Sequence, residues 1–297
     1  MKKQYTWLLT GLVFAALWPS ASTATKVGLT VAQPLVIAQV RFFLAACILL
    51  FISHVIRKHP LPTSKIYKQT AIYGLLNITI YLGCYVVAMQ KVTAGIGSLS
   101  VATNPVLIGF LSVFLLKKKM TWPLLLSLVV CSVGVGIAAW PLLGNASVTT
   151  SGLLILFISM ISYSLAAIYF SSKGWDDISL MTINGWQTLF GGLFLMPFTL
   201  LFYRNDENQF NHVFWLSVAW LAIPVSIISV QLWLRLLRIH PIRAGLWLFL
   251  CPLFGLMLAN WWLGDVISIY TILGAVMVIS GLLLSKIDSS KNDVVFD

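Results

Sequence analysis

The chain has 297 residues, 59% of them hydrophobic, 13% aromatic and only 9% charged, where an ordinary soluble domain is roughly 25% charged. That composition excludes a water-soluble globule. The formal net charge of +11 sits in short clusters beside long apolar runs, so it marks membrane topology and excludes nucleic acid as the partner.

Uncharged runs at 4–25, 69–90, 92–116, 120–172, 178–203, 208–234, 244–264 and 266–285 fit the about 20 apolar residues of a membrane helix, not the about 10 of a barrel strand. The stretch 33–56 carries a single strong charge, Arg41, and the run 120–172 holds two spans around a break at Leu143-Gly144-Asn145-Ala146-Ser147. Ten spans result. Together they use some 210 positions, at about 21 residues each, and exclude a sizeable soluble domain.

The first span imitates a secretory signal, with Lys2-Lys3, an apolar stretch from Trp7 to Trp18 and small residues from Ser20 to Ala24. It has a counterpart later in the chain and is kept as a span, with Trp18 and Ser22 as candidate cavity residues and Pro19 as a kink. In the second span Arg41 lies about 12 Å along the helix, placed to bind a substrate carboxylate, to snorkel outward or to tie helix ends together. In the third, Asn77, Tyr81, Cys84 and Tyr85 recur at i, i+4, i+7 and i+8, one stripe that would be costly against lipid. The fourth presents Ser100 and Asn104 directly before Pro105, the sixth Ser159 and Tyr163, and the eighth Pro224, Ser226, Ser229 and Gln231. The ninth carries Trp247 and Cys251 before Pro252. A lone Ser or Thr in a span bonds its own backbone by default. Asn77, Asn104 and Gln231 have more groups to satisfy and are the stronger candidates. Trp7, Trp122, Trp261 and Trp262 lie near span ends and read as an interfacial belt.

Sliding the sequence on itself by 147 residues aligns Lys26 with Lys173, Phe43 with Phe190, Pro105 with Pro252, and Gly134 with Gly281. The unit is therefore written twice, over 1–146 and 147–297, five spans each. An odd number of spans inserts the second unit upside down, which predicts an all-α integral membrane fold of two inverted five-helix repeats. Pro105 and Pro252 then break equivalent helices, leaving the carbonyls of Val101 and Leu248 without helical donors. Ser127, Gly134, Gly274 and Gly281 form a small-residue seam that serves packing. Fifteen Lys and Arg fall on the side of both termini against three, Lys26, Lys91 and Arg204, on the other, which predicts cytoplasmic termini. Lys117-Lys118-Lys119 after the fourth span, against Gly264-Asp265-Val266 after the ninth, fits the same inversion.

All eight acids fall in loops or tails and the four histidines lie near span ends. A carboxylate proton relay, a pocket for large cations and an embedded hydrolase are each unsupported by this pattern. Cys47, Cys84, Cys131 and Cys251 are isolated within spans, so no disulfide, metal or cofactor is expected. The partners expected are a small-molecule substrate and membrane lipid, and the oligomeric state is not set.

Trp18-Pro19-Ser20, Lys26, Arg41-Phe42, Ala94 to Pro105, and Pro252 through Gly264-Asp265 to Gly274 and Gly281 together resemble the bacterial ten-helix EamA-type permeases of the drug/metabolite transporter superfamily. The likeness runs from about Trp7 to Ser285. The chain departs from the usual pattern in having Trp18-Pro19 where the family writes Trp-Gly, and three lysines where it has an acid. The resemblance implies export of amino acids or other small metabolites across the inner membrane, through a cavity lined by the first, third, fourth, sixth, eighth and ninth helices. It also favours the structural role for Arg41, because family members with differing substrates share it. Amino acids or derivatives are the expected substrates. Neutral metabolites such as nucleosides or sugar derivatives, and a receptor or structural role, remain the alternatives.

Overall fold

The structure, a computed structural model, describes residues 2–117, 120–143, 148–263 and 268–292. The break at 144–147, the repeat boundary at 146/147 and the loop comparison at Lys118-Lys119 and 264–266 lie outside the described residues. Among the described residues ten long helices follow one another: α1 (Trp7–Gly28), α2 (Pro34–Ile56), α3 (Ser64–Ala88), α4 (Ala94–Leu116), α5 (Trp122–Leu143), α6 (Thr150–Ser172), α7 (Leu180–Leu201), α8 (His212–Ile239), α9 (Pro241–Trp262) and α10 (Ile269–Asn292). Seven of them, α1 to α4, α6, α8 and α9, are by length and hydropathy alone able to cross a membrane. Their outward faces carry large apolar side chains such as Phe110, Phe114, Leu154, Phe157 and Leu216, which suits lipid and not water.

Exchange of the two halves leaves the packing unchanged. α2 lies on α7, α4 on α9 and α5 on α10, while α3 on α6 is matched by α8 on α1, α4 on α6 by α9 on α1, and α3 on α7 by α8 on α2. The equivalent helices of the two halves, α2 with α7, α4 with α9 and α5 with α10, run antiparallel. Along α5 and α10, Ser127 donates to the Gly281 carbonyl at 2.6 Å and Cys131 to that of Val278 at 3.5 Å, and Gly134 faces Gly274, so one index falls as the other rises. Along α2 and α7 the order is Gln39 with Gly192, then Ser53 with Thr182. The halves are therefore inverted. A Cβ at Gly134 would lie 2.8 Å from the Gly274 carbonyl oxygen and from Met277 Cβ, which is the close approach the small-residue seam exists to allow.

The repeat extends to the flaws of the third and fourth helices of each half. α3 widens to a π-helix at Leu75–Ile80, and α8 does so at Leu221–Ser229, around Pro224. α4 tightens to a 3₁₀ turn at Val101–Thr103 before Pro105, and α9 at Trp247–Phe249 before Pro252. The two 3₁₀ turns touch each other. The Val101 carbonyl is not orphaned as expected: the Asn104 N–H closes the tightened turn onto it, the usual repair when proline removes a helical donor. α1 breaks at Trp18-Pro19 and restarts at Ser20.

α7 holds the bundle together with polar groups. Asn184 Nδ2 donates to the Ser226 carbonyl at 2.9 Å, Gln187 Nε2 to Asn184 Oδ1 at 2.9 Å, and Asn77 Nδ2 to Gln187 Oε1 at 3.1 Å. Gln39 Nε2 donates to the Gly192 carbonyl at 3.0 Å. Amides buried in a bilayer must find such partners, and here they join α7 to α2, α3 and α8.

Candidate functional site

Five helices enclose a cavity lined by Trp18, Pro19, Ala21 and Ser22 of α1, Arg41 of α2, Tyr81, Leu82 and Tyr85 of α3, Ser98 and Val101 of α4, and Val225 of α8. The helix breaks make it. Pro19 sits in the break of α1, Val101 in the 3₁₀ turn of α4 and Val225 in the π segment of α8. Its free volume of about 10 Å³ suits a single water.

Arg41 is the charged group of this cavity and is 1% exposed. Its Nε donates to Ser226 Oγ on α8 at 2.8 Å, and its guanidinium carbon lies 5.3 Å from the Phe42 ring centre. Nη2 is buried without a hydrogen-bond partner. Across from it, Ser22 Oγ and Ser98 Oγ join α1 to α4 at 2.5 Å, and the Ser22 hydroxyl also lies 2.6 Å from the Pro19 carbonyl.

A layer of rings adjoins the cavity towards the end of the bundle where α1 begins and α8 ends. Tyr163 of α6 lies 4.7 Å from Tyr81, 6.0 Å from Trp18 and 5.6 Å from Trp233, and Trp233 stacks on Phe14 at 5.2 Å. Trp7 and Trp247 meet at 5.0 Å, and Gly11 gives the Trp247 indole room that a Cβ would fill. The hydroxyl of Tyr163 and the Nε1 of Trp247 are buried without partners.

The EamA-like transporter family matches residues 5–140 and again 150–287. The chain belongs to that family. It is similar to the uncharacterized transporter YoaV of Bacillus subtilis, 24% identical over 97% of this chain and 99% of that one. It is also similar to the uncharacterized inner membrane transporter YedA of Escherichia coli K12, 28% identical over 88% and 84%, and to protein PecM of Dickeya dadantii, 26% identical over 90% and 88%. A solved crystal structure superposes with a TM-score of 0.73 at 15% identity, over 97% of this chain and 98% of the other, which establishes a shared fold. The chain is thus a multi-pass membrane transporter of the drug/metabolite type.

For this EamA-like transporter, the residues singled out from sequence divide into three sets. Trp18, Ser22, Arg41, Tyr81 and Tyr85 gather at the cavity, while Tyr163 and Trp247 stand in the adjoining ring layer. The others turn elsewhere. Asn77, inside the π segment of α3, bonds Gln187 of α7. Asn104 is fully buried against α6, accepting from Ser164 Oγ at 3.1 Å and approaching Met160 Sδ at 3.2 Å. Ser100 and Ser159 donate to carbonyls of their own helices, Gly97 and Leu156. Gln231 donates to the Leu180 carbonyl at 3.2 Å. Pro105 packs near Gly245 where α4 crosses α9, and Pro252 follows the turn of α9, so both shape helices rather than line the cavity. The lining drawn from α2 was not expected from the resemblance, which named neither it nor α7. Trp7, expected in the interfacial belt, packs on Trp247 instead, while Trp122, Trp261 and Trp262 are exposed as a belt requires. Ser98 was missed. Nothing in the local sequence separates it from Ser100, and only the approach of α1 does. The α7 amides had a signal: Asn184 and Gln187, three apart in an uncharged run, lie on one helix face.

Proposed function

We propose that the chain is a secondary transporter that moves small metabolites, amino acids or close derivatives foremost, by alternating access, and that it works as an exporter in the bacterial cytoplasmic membrane with both termini inside. The observation that carries this reading is the closed cavity, set where helices of both inverted repeats are broken, with Arg41 on one wall and rings below it. Broken helices of inverted repeats can rock against each other and expose one site to either side in turn. A lining of hydroxyls, rings and one guanidinium suits a small polar molecule with an apolar or aromatic part. We also place the repeat boundary near 146/147 and assign the protein no catalysis, the rings and hydroxyls of the lining offering no acid or base pair.

Flux into proteoliposomes, measured against amino-acid and nucleoside panels, tests the substrate. Movement of amino acids or their derivatives is the expected result, transport of nucleosides alone overturns that class, and no flux of any solute overturns transport. Reporter fusions after Lys286 should report the cytoplasm, and an external signal there overturns the orientation.

A further inference from the structure

Among the described residues no acid balances the charge of Arg41. The guanidinium stays protonated in a protein, and among the described residues its one hydrogen bond goes to a neutral hydroxyl, Ser226 Oγ at 2.8 Å. Asp176 and Glu207 are occupied at the exposed surface by Lys65 and Arg204, at 3.2 and 3.0 Å, and no acid lines the cavity. A buried charge without a counter-charge is costly, so a site that keeps one is suited to a ligand that supplies the missing sign.

The group is also braced for that task. Ser226 is fixed in turn by Asn184 Nδ2 on its carbonyl, and Asn184 by Gln187 and Asn77. With Nε turned to α8, Nη2 is left unpartnered on a residue that forms the cavity wall. A guanidinium edge matches the two oxygens of a carboxylate, and the hydroxyls of Ser22 and Ser98 line the same space.

Resting on the transporter reading above, we propose that Arg41 anchors a substrate carboxylate and that the preferred substrate is a monoanion whose amine is absent or blocked, not a free zwitterion. The charge count decides between them. A bound monocarboxylate brings the cavity to neutrality, whereas a zwitterion leaves it at +1 and buries an ammonium with no acid to receive it. The rings of Trp18, Tyr81 and Tyr85 and the hydroxyls of the lining offer that ammonium cation–π contact and neutral hydrogen bonds, each weaker than an ion pair, and these must offset its desolvation.

The test is a series with one side chain and varied head groups, competing for counterflow in proteoliposomes of the wild-type chain. It comprises phenylalanine, N-acetylphenylalanine, phenylpyruvate, N-acetylphenylalaninamide and phenylalaninamide, with leucine analogues beside them. The two monoanions should half-saturate at concentrations roughly tenfold below phenylalanine, with the neutral amide weaker still and the cation weakest. Arg41→Gln should abolish the preference for carboxylate over amide, a ratio that a purely structural arginine would leave unchanged, and Arg41→Lys should recover part of it. Should Arg41→Gln fail to insert, the wild-type series decides alone. Phenylalanine equal to or better than its acetyl derivative, or the neutral amide equal to the monoanions, overturns the proposal and leaves the transporter intact. If no member of either series competes or moves, both proposals fall.

Discussion

Tyr163→Phe is expected to make this protein more stable and a poorer transporter. The ring stays, so its contacts with Tyr81, Trp18 and Trp233 at 4.7, 6.0 and 5.6 Å are kept. What goes is a hydroxyl that is buried with no partner. Leaving such a group unsatisfied costs about 1–3 kcal/mol, and at roughly 2–4 °C per kcal/mol for a chain of this size its removal should raise the melting temperature by about 2–12 °C. Tyr163 also stands in the ring layer that adjoins the cavity through Tyr81 and Trp18, and an entering substrate is expected to satisfy its hydroxyl. Losing one neutral hydrogen bond of about 1 kcal/mol should raise the half-saturating concentration about fivefold. Tyr73→Phe is the control, since Tyr73 is equally buried and unpartnered but packs on Phe170 and Trp175 at 5.4 and 6.2 Å, away from the cavity. It should gain the same stability and leave transport unchanged. Thermal unfolding in detergent and flux from one set of preparations measure both quantities. An unchanged or lower melting temperature for Tyr163→Phe, with Tyr73→Phe raised, shows that the Tyr163 hydroxyl already has a partner. A raised melting temperature with unaltered transport shows that substrate never reaches it.

Asn104→Ala removes a tie between α4 and α6 and should cost about 1 kcal/mol of stability, with half-saturation within about twofold of wild type; a larger loss of affinity in flux assays places Asn104 in the pathway after all. Asn184→Leu strips the support from Gln187 and from the Ser226 carbonyl and should lower stability by about 2 kcal/mol, with head-group selectivity weakened because Arg41 loses its brace. Gly134→Leu drives a side chain into the Gly274 backbone and Met277, so a loss of about 1–3 kcal/mol is expected, read as reduced monomeric protein in detergent, while any correctly folded fraction transports with normal affinity.

Much of this fold was legible in one dimension because the bilayer writes it there. Hydrocarbon tolerates few charges and requires about 20 residues per crossing, so nine of the ten spans stand out as uncharged runs and the tenth carries Arg41 alone, and the 147-residue register of Pro105 with Pro252 and Gly134 with Gly281 exposes the repeat. The small-residue seam of α5 and α10 was equally open to reading, since small side chains seven apart must share a face. The wall of the cavity was only partly so. Tyr81, Tyr85, Trp18, Ser22 and Arg41 follow from helix periodicity and from the rarity of polar groups in lipid. Asn77 does not, because α7 brings Gln187 to it, and no residue type in α3 announces that neighbour. Asn104 looks like a site from its place before Pro105, yet α6 supplies its partners. Whether a buried amide or guanidinium is satisfied by protein or left for a ligand depends on which helix lies opposite. Sequence sets the chemistry carried by each helix face, and tertiary packing alone gave Asn77 and Asn104 their partners while leaving Arg41 Nη2 without one.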